Sequence, residues 1–209
     1  MQTPYKNNKM QKLSKYKLNK YSRNLDFFFN FATKQDINNG LQWYNEANKI
    51  ITNLALIYNY DFFIVANVLS ALSPRNRWSQ NIKDTEKVLK AVNEGKDANS
   101  VRVCTFNNNK FKAFNIAKGN LIIDKLSPKT YNFTKNIAHL DSEALTVDIW
   151  HLRACLKQFK SIKTAQIGKA AYQQIKTLTI RKAEKLGIKG FQYQAILWLA
   201  AQRFYQNNQ

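Results

Sequence analysis

Three stretches of this sequence bring together side chains able to do chemistry: Ala66-Asn67-Val68-Leu69-Ser70-Ala71-Leu72-Ser73-Pro74, Leu126-Ser127-Pro128-Lys129-Thr130, and Leu145-Thr146-Val147-Asp148-Ile149-Trp150-His151-Leu152-Arg153. Lys129 and Asp148 lie 19 residues apart. An aspartate that opens an apolar helix has two uses, capping free backbone N–H groups or holding fixed negative charge beside a developing cation. A lysine amine with an ordinary pKa near 10.4 is at most about one part in 10³ neutral at pH 7. It becomes a nucleophile only where desolvation or neighbouring positive charge favours the free amine. His139 and His151 have no spacing that suggests a metal or a triad and read as packed or solvated residues. Cys104 and Cys155, with no second pair, read as small buried residues rather than as a disulfide, a zinc site or an iron-sulfur site. No metal and no cofactor is expected.

The elements that must position these groups read as helices. Leu41, Tyr44, Ala47, Ile51, Leu54 and Ile57 recur at three- and four-residue steps and predict a core helix over 38–58. Asp61 is placed to cap a second apolar helix that must stop before Pro74. A turn at Ser73-Pro74-Arg75-Asn76 leads to a helix over about 77–92, its core side carrying Trp78, Ile82, Thr85, Val88 and Leu89 and its solvent side Lys83, Glu86, Lys87 and Lys90. Gly95 ends it. After a linker, Phe111, Phe114, Ile116 and Ala117 predict a helix stopping at Gly119, and a short helix follows over 129–138. Asp148 is placed to cap a helix carrying Ile149, Leu152, Leu156 and Phe159. Two longer helices, over 164–186 and 190–205, complete an all-α chain with no competing two-residue alternation.

The sequence has 33 cations against 13 anions, a formal charge of +20 over 209 residues. AT-rich coding accounts for lysine in place of arginine, but not for the shortage of aspartate and glutamate. A potential of this sign attracts polyphosphate, so DNA, duplex favoured, is the expected partner. No run of residues approaches the roughly 20 apolar positions a membrane span needs, and no membrane contact is expected. The first 23 residues hold seven cations and no anion, and read as a flexible or weakly helical basic arm. The division expected is therefore an arm over 1–24 and one helical domain over 25–209. A monomer, cytoplasmic or associated with the nucleoid, is expected.

Taken in order, the three stretches resemble the helix-hairpin-helix DNA glycosylase superfamily, the endonuclease III and oxoguanine glycosylase type, over about residues 60–160. The Ala-Leu-Ser-Pro, Pro-Lys and Val-Asp-x-Trp elements, with Gln194-Ala195-Ile196-Leu197-Trp198, are also similar to those of phage and bacterial proteins of unassigned function. The resemblance implies a compact glycosylase-like fold and base excision by base flipping. Lys129 is then the amine nucleophile on the deoxyribose C1′ and Asp148 the carboxylate that stabilises the sugar cation. On this reading Arg75, Arg77, Lys125, Ser127, Thr130 and Arg153 contact DNA, the arginines because their fork matches phosphate oxygens. Trp78, Asn81, Tyr131, Phe133, Trp150 and Gln194 are candidates to hold an extruded base. One departure matters: the family's hairpin carries closely spaced glycines, and Asp124-Lys125-Leu126-Ser127-Pro128-Lys129 has none. A non-catalytic DNA-binding relative and a base-modifying enzyme on the same scaffold stay open beside excision.

Overall fold

In a computed structural model, residues 12–138, 143–159 and 167–207 are described. Among them the chain is all-α: α1 Lys15–Phe31, α2 Lys34–Tyr58, α3 Phe62–Leu72, α4 Trp78–Asn93, α5 Asn107–Ala117, α6 Pro128–Ala138, α7 Ile149–Leu156, α8 Lys169–Lys185 and α9 Gly190–Gln206. A 3₁₀ turn at Ala98–Ser100 lies between α4 and α5. His139 and the first eleven residues lie outside the described residues.

The helix ends follow local chemistry. Asp61 accepts from the Phe63 and Ile64 amides and starts α3, and Asp148 accepts from the His151 amide and starts α7. Gly95, Gly119 and Gly187 take positive φ just beyond α4, α5 and α8, the left-handed stop that a side chain makes costly.

The chain divides into two compact units, one of residues 1–43 and 145–209, the other of residues 44–144, so α2 contributes to both. In the first unit α1, α7, α8 and α9 pack around Leu25, Phe28, Leu152, Ile175, Tyr193 and Leu197. Burying each such side chain stabilises the fold by about 1.5–3 kcal/mol. The start of α2 passes so close to α9 that a Cβ on Gly40 would lie 2.7 Å from the Ile196 backbone nitrogen. Trp43 meets Trp198 edge to face at 5.4 Å beside this contact.

In the second unit α3 is the hub, with eight of its eleven residues buried and α4, α5 and α6 packed on it. No single helix among the described residues is long and apolar enough to cross a membrane. Though α2 and α3 together carry enough apolar sequence, they are bent 115° apart.

Several expectations are corrected here. The basic stretch before Leu25 is not all an arm, because α1 begins at Lys15 and Leu13, Tyr21, Leu25 and Phe28 are buried. Its apolar stripe is sparse, and the lysines between hide it. Gln174 holds this segment by accepting from the Leu13 N–H at 2.6 Å and donating to the Leu13 carbonyl at 3.2 Å. Ile57 is 60% exposed, because the core stripe of α2 ends at Leu54 and Ala55, and Phe111 is 42% exposed on the outer side of α5. Cys104 is exposed rather than buried, since its backbone N–H is turned inward to Asp84. Cys155 is buried, as expected, and burial pushes its thiol well above the usual range.

Candidate nucleic-acid interface

Lys129 and Asp148 belong to different units, the first to residues 44–144 and the second to the unit containing 145–209. Each surrounding is therefore built separately.

Around Asp148, the backbone at the N-cap is extended, and Oδ1 accepts from the His151 N–H at 2.8 Å. The carboxylate is half-buried. One turn on, two aromatic rings adjoin the Arg153 guanidinium, whose central carbon lies 4.2 Å from the ring centre of Trp150 and 4.2 Å from that of Phe159, the two centres being 6.1 Å apart and their planes tilted by 55°. Its Nε donates to the Phe159 carbonyl. Burial lowers the basicity of this guanidinium, while the charge of Asp148 opposes that shift. The two rings and the Phe159 carbonyl together restrain the fork, which favours a directional contact with an anion such as phosphate. Trp150 is thus already engaged as one wall of this arrangement. Gln194 is 5% exposed inside α9 and faces protein rather than solvent.

His151 is fully buried. Its Nε2 lies 2.9 Å from Thr179 Oγ1, whose own proton goes to the Ile175 carbonyl at 2.9 Å, so Nε2 must donate and Nδ1 is bare. Nδ1 has no hydrogen-bond partner. Burial accordingly drives the imidazole pKa from 6.5 down to about 4, which makes this a neutral core histidine, the packed rather than the solvated of the two readings the sequence left open.

In the other unit, Lys129 and Thr130 occupy the first turn of α6 and are half-buried, and Lys125 is exposed just before it. The turn that precedes α6 is closed by Asp124, whose Oδ1 accepts from the Leu126 N–H at 2.9 Å and whose carbonyl accepts from the Ser127 N–H at 3.2 Å. Amides that a glycine hairpin would turn toward a phosphate are here satisfied within the turn. The Asp-x-x-Ser-Pro pattern, an Asx turn before a helix, was the signal for it. Tyr131 lies under the Lys135 ammonium, 5.1 Å from its ring centre. Phe133 packs edge to face on Tyr44.

Arg75 and Arg77 are exposed on the loop between α3 and α4. Arg75 adopts φ 57°, a left-handed conformation costing a side-chain-bearing residue about 1 kcal/mol. It lies 5.1 Å over the ring of Phe106, which is itself 51% exposed. The loop keeps this shape through Asp84, which the sequence reading passed over. Asp84 is fully buried and accepts from Asn76 Nδ2 at 2.9 Å, Gln80 Nε2 at 2.8 Å and the Cys104 N–H at 2.8 Å. Thr105 adds a bond from its hydroxyl to the Pro74 carbonyl. The place of Asp84 among Asn81, Thr85 and Val88 on the inner stripe of α4 was the available signal.

Trp78 is half-buried in the first turn of α4. Asn81 is not a surface amide: it is 1% exposed and donates to the Leu69 carbonyl at 3.1 Å. It fastens α4 to α3 and is not available to read a base without leaving the core.

What the fold and these surroundings define is a strongly basic, all-helical protein with aromatic and arginine side chains at its surface. Residues 7–205 match a family of unknown function, DUF7178, and the chain belongs to that family. No curated protein and no solved structure matches it.

Proposed function

We propose that the protein binds duplex DNA through its phosphate backbone and acts on a base taken out of the stack, breaking the glycosidic bond. The observation that carries the binding is the charge balance. With 33 cations and 13 anions, at least twenty cations have no acid to pair with, whatever the geometry. Neutralising phosphates and releasing their counterions is the interaction such a surface favours most.

The excision step rests on the resemblance of the Leu-Ser, Pro-Lys-Thr and Val-Asp-x-Trp stretches and on the half-buried carboxylate at the start of α7. The C1′–N bond breaks, its electron pair leaves with the base, and the Asp148 carboxylate stabilises the cationic sugar. Water, or the Lys129 amine, then supplies the pair that completes C1′ and gives up a proton.

The test offers duplexes carrying uracil, oxidised, alkylated or hypermodified bases to the wild type and to Asp148→Asn. Asparagine caps a helix as well as aspartate but carries no charge, so loss of base release with unchanged folding supports the assignment. Borohydride trapping that persists in Lys129→Ala removes that lysine from it.

A second reading is a DNA-binding relative without chemistry. It is favoured by the closed Asp124 turn and by the capping bond of Asp148. Salt-dependent binding with no base released or altered, followed by mass spectrometry, would select it over both excision and base modification.

A further inference from the structure

Lys87 and Lys90 lie on the solvent side of α4, as the sequence pattern predicts. In the structure they line a shallow cavity of about 440 Å³ with Lys96 and Arg102 from the segment that follows, walled by Ala91 and Val101. Four cations from two elements thus converge on one space. A single carboxylate, Glu94, shares the lining, and its hydrogen bond to Lys96, with help from Lys90, holds it below the usual carboxylate range.

Lysines near a helix C-terminus are ordinarily explained by the carbonyls left over there. At α4 three of those four carbonyls are already satisfied: the Glu94 N–H bonds to Lys90 O at 3.0 Å, the Lys96 N–H to Ala91 O at 2.8 Å and the Gly95 N–H to Val92 O at 3.0 Å as the chain reverses. Nearby anions are likewise turned elsewhere. Asp97 accepts from the Asn99 and Ser100 amides, and buried Asp84, 3.6 Å from Lys87, is occupied by three shorter bonds. Arg102 is exposed and has no ion pair among the described residues. Concentrated positive charge with its local acids engaged, in a shallow depression rather than an enclosed pocket, suits an extended polyanion.

We infer that the Lys87, Lys90, Lys96 and Arg102 depression is a phosphate-binding site, and that its occupant is the backbone of DNA. The second half of this inference rests on the DNA-binding reading above; the first half does not. Lys90 and Arg102 are the main contacts, because Lys96 is shared with Glu94 and Lys87 with Asp84.

The experiment compares wild type, K90Q/R102Q and a control, K15Q/K17Q, which removes the same charge from exposed positions on α1. Binding of a short random-sequence duplex is followed by fluorescence anisotropy as salt is raised, with circular dichroism to check folding. At a slope of roughly 0.9 per phosphate contact, K90Q/R102Q should flatten the dependence of log affinity on log salt by about 2, and the control by less than half of that. Equal flattening in both variants, or none in K90Q/R102Q, overturns the assignment to backbone. If wild type does not bind DNA at any salt, the DNA-binding reading fails, and the site is read by amide shifts on adding inorganic tripolyphosphate. Shifts centred on Ala91, Ser100, Val101 and Arg102 sustain a phosphate site, and their absence refutes it. Competition by a free nucleoside triphosphate at the same amides, with DNA affinity unchanged in K90Q/R102Q, would move the occupant from DNA to nucleotide.

Discussion

Between pH 6.5 and 4, acid should weaken this fold through the His151 side chain. In the folded protein its imidazole is neutral with a pKa of about 4, because burial removes water and a proton added at Nδ1 would have no acceptor. In the unfolded chain it returns to 6.5. Above pH 6.5 both states are neutral and the stability is full. As pH falls from 6.5 toward 4 only the unfolded chain takes up the proton, so stability is lost progressively, and below 4 the loss levels off. Two and a half pH units, at about 1.4 kcal/mol each, amount to roughly 3–4 kcal/mol. That is a large part of the 5–15 kcal/mol typical of a folded domain. The assay is urea unfolding of wild type and His151→Gln at intervals between pH 7 and pH 4. The stability advantage of wild type at pH 7 should shrink across this window, since glutamine does not titrate. The chain has two histidines, so the variant also assigns the His151 imidazole resonance for direct titration. A His151 resonance titrating near 6.5, or a stability difference that does not change with pH, would refute the reasoning.

Other perturbations separate structural from chemical roles. Gly40→Ala should destabilise by about 2–4 kcal/mol in thermal unfolding, because the new methyl would fall 2.7–2.8 Å from Ile196 backbone atoms that cannot move aside. Asp84→Ala should cost roughly 3 kcal/mol by stranding three donors, and should speed amide exchange at Cys104 and in the 73–77 loop; unchanged exchange there would deny Asp84 its anchoring role. Asp148→Ala should lose about 1 kcal/mol of stability while Asp148→Asn loses almost none, so an asparagine variant as unstable as the alanine one would show that capping is not what the side chain contributes.

Helices and their ends were legible because the cues are local. The caps Asp61 and Asp148 and the stops Gly95, Gly119 and Gly187 act within a few residues of themselves. Stripes such as Tyr44, Ala47, Ile51 and Leu54 needed only a helical period. The candidate DNA contacts were less legible. Arg75, Arg77 and Lys125 are exposed, but Asn81 and Gln194, two of the base-pocket candidates, are core groups. An amide's partner can lie anywhere along the chain, as with Asn81 and the Leu69 carbonyl, so its burial has no local mark.

The reactive pair that stood out at the start, Lys129 and Asp148, shows where each kind of information ends. Composition and periodicity alone established an all-α chain with a charge of +20, because helical spacing and the sum of charges require no knowledge of distant contacts. Tertiary packing settled the rest: α1 as a core helix reaching back to Lys15, the turn before α6 closed by Asp124, the Arg75 loop held by buried Asp84, and four cations from α4 and the segment after it facing one depression. Each of these depends on which backbone donors and which apolar faces meet in space.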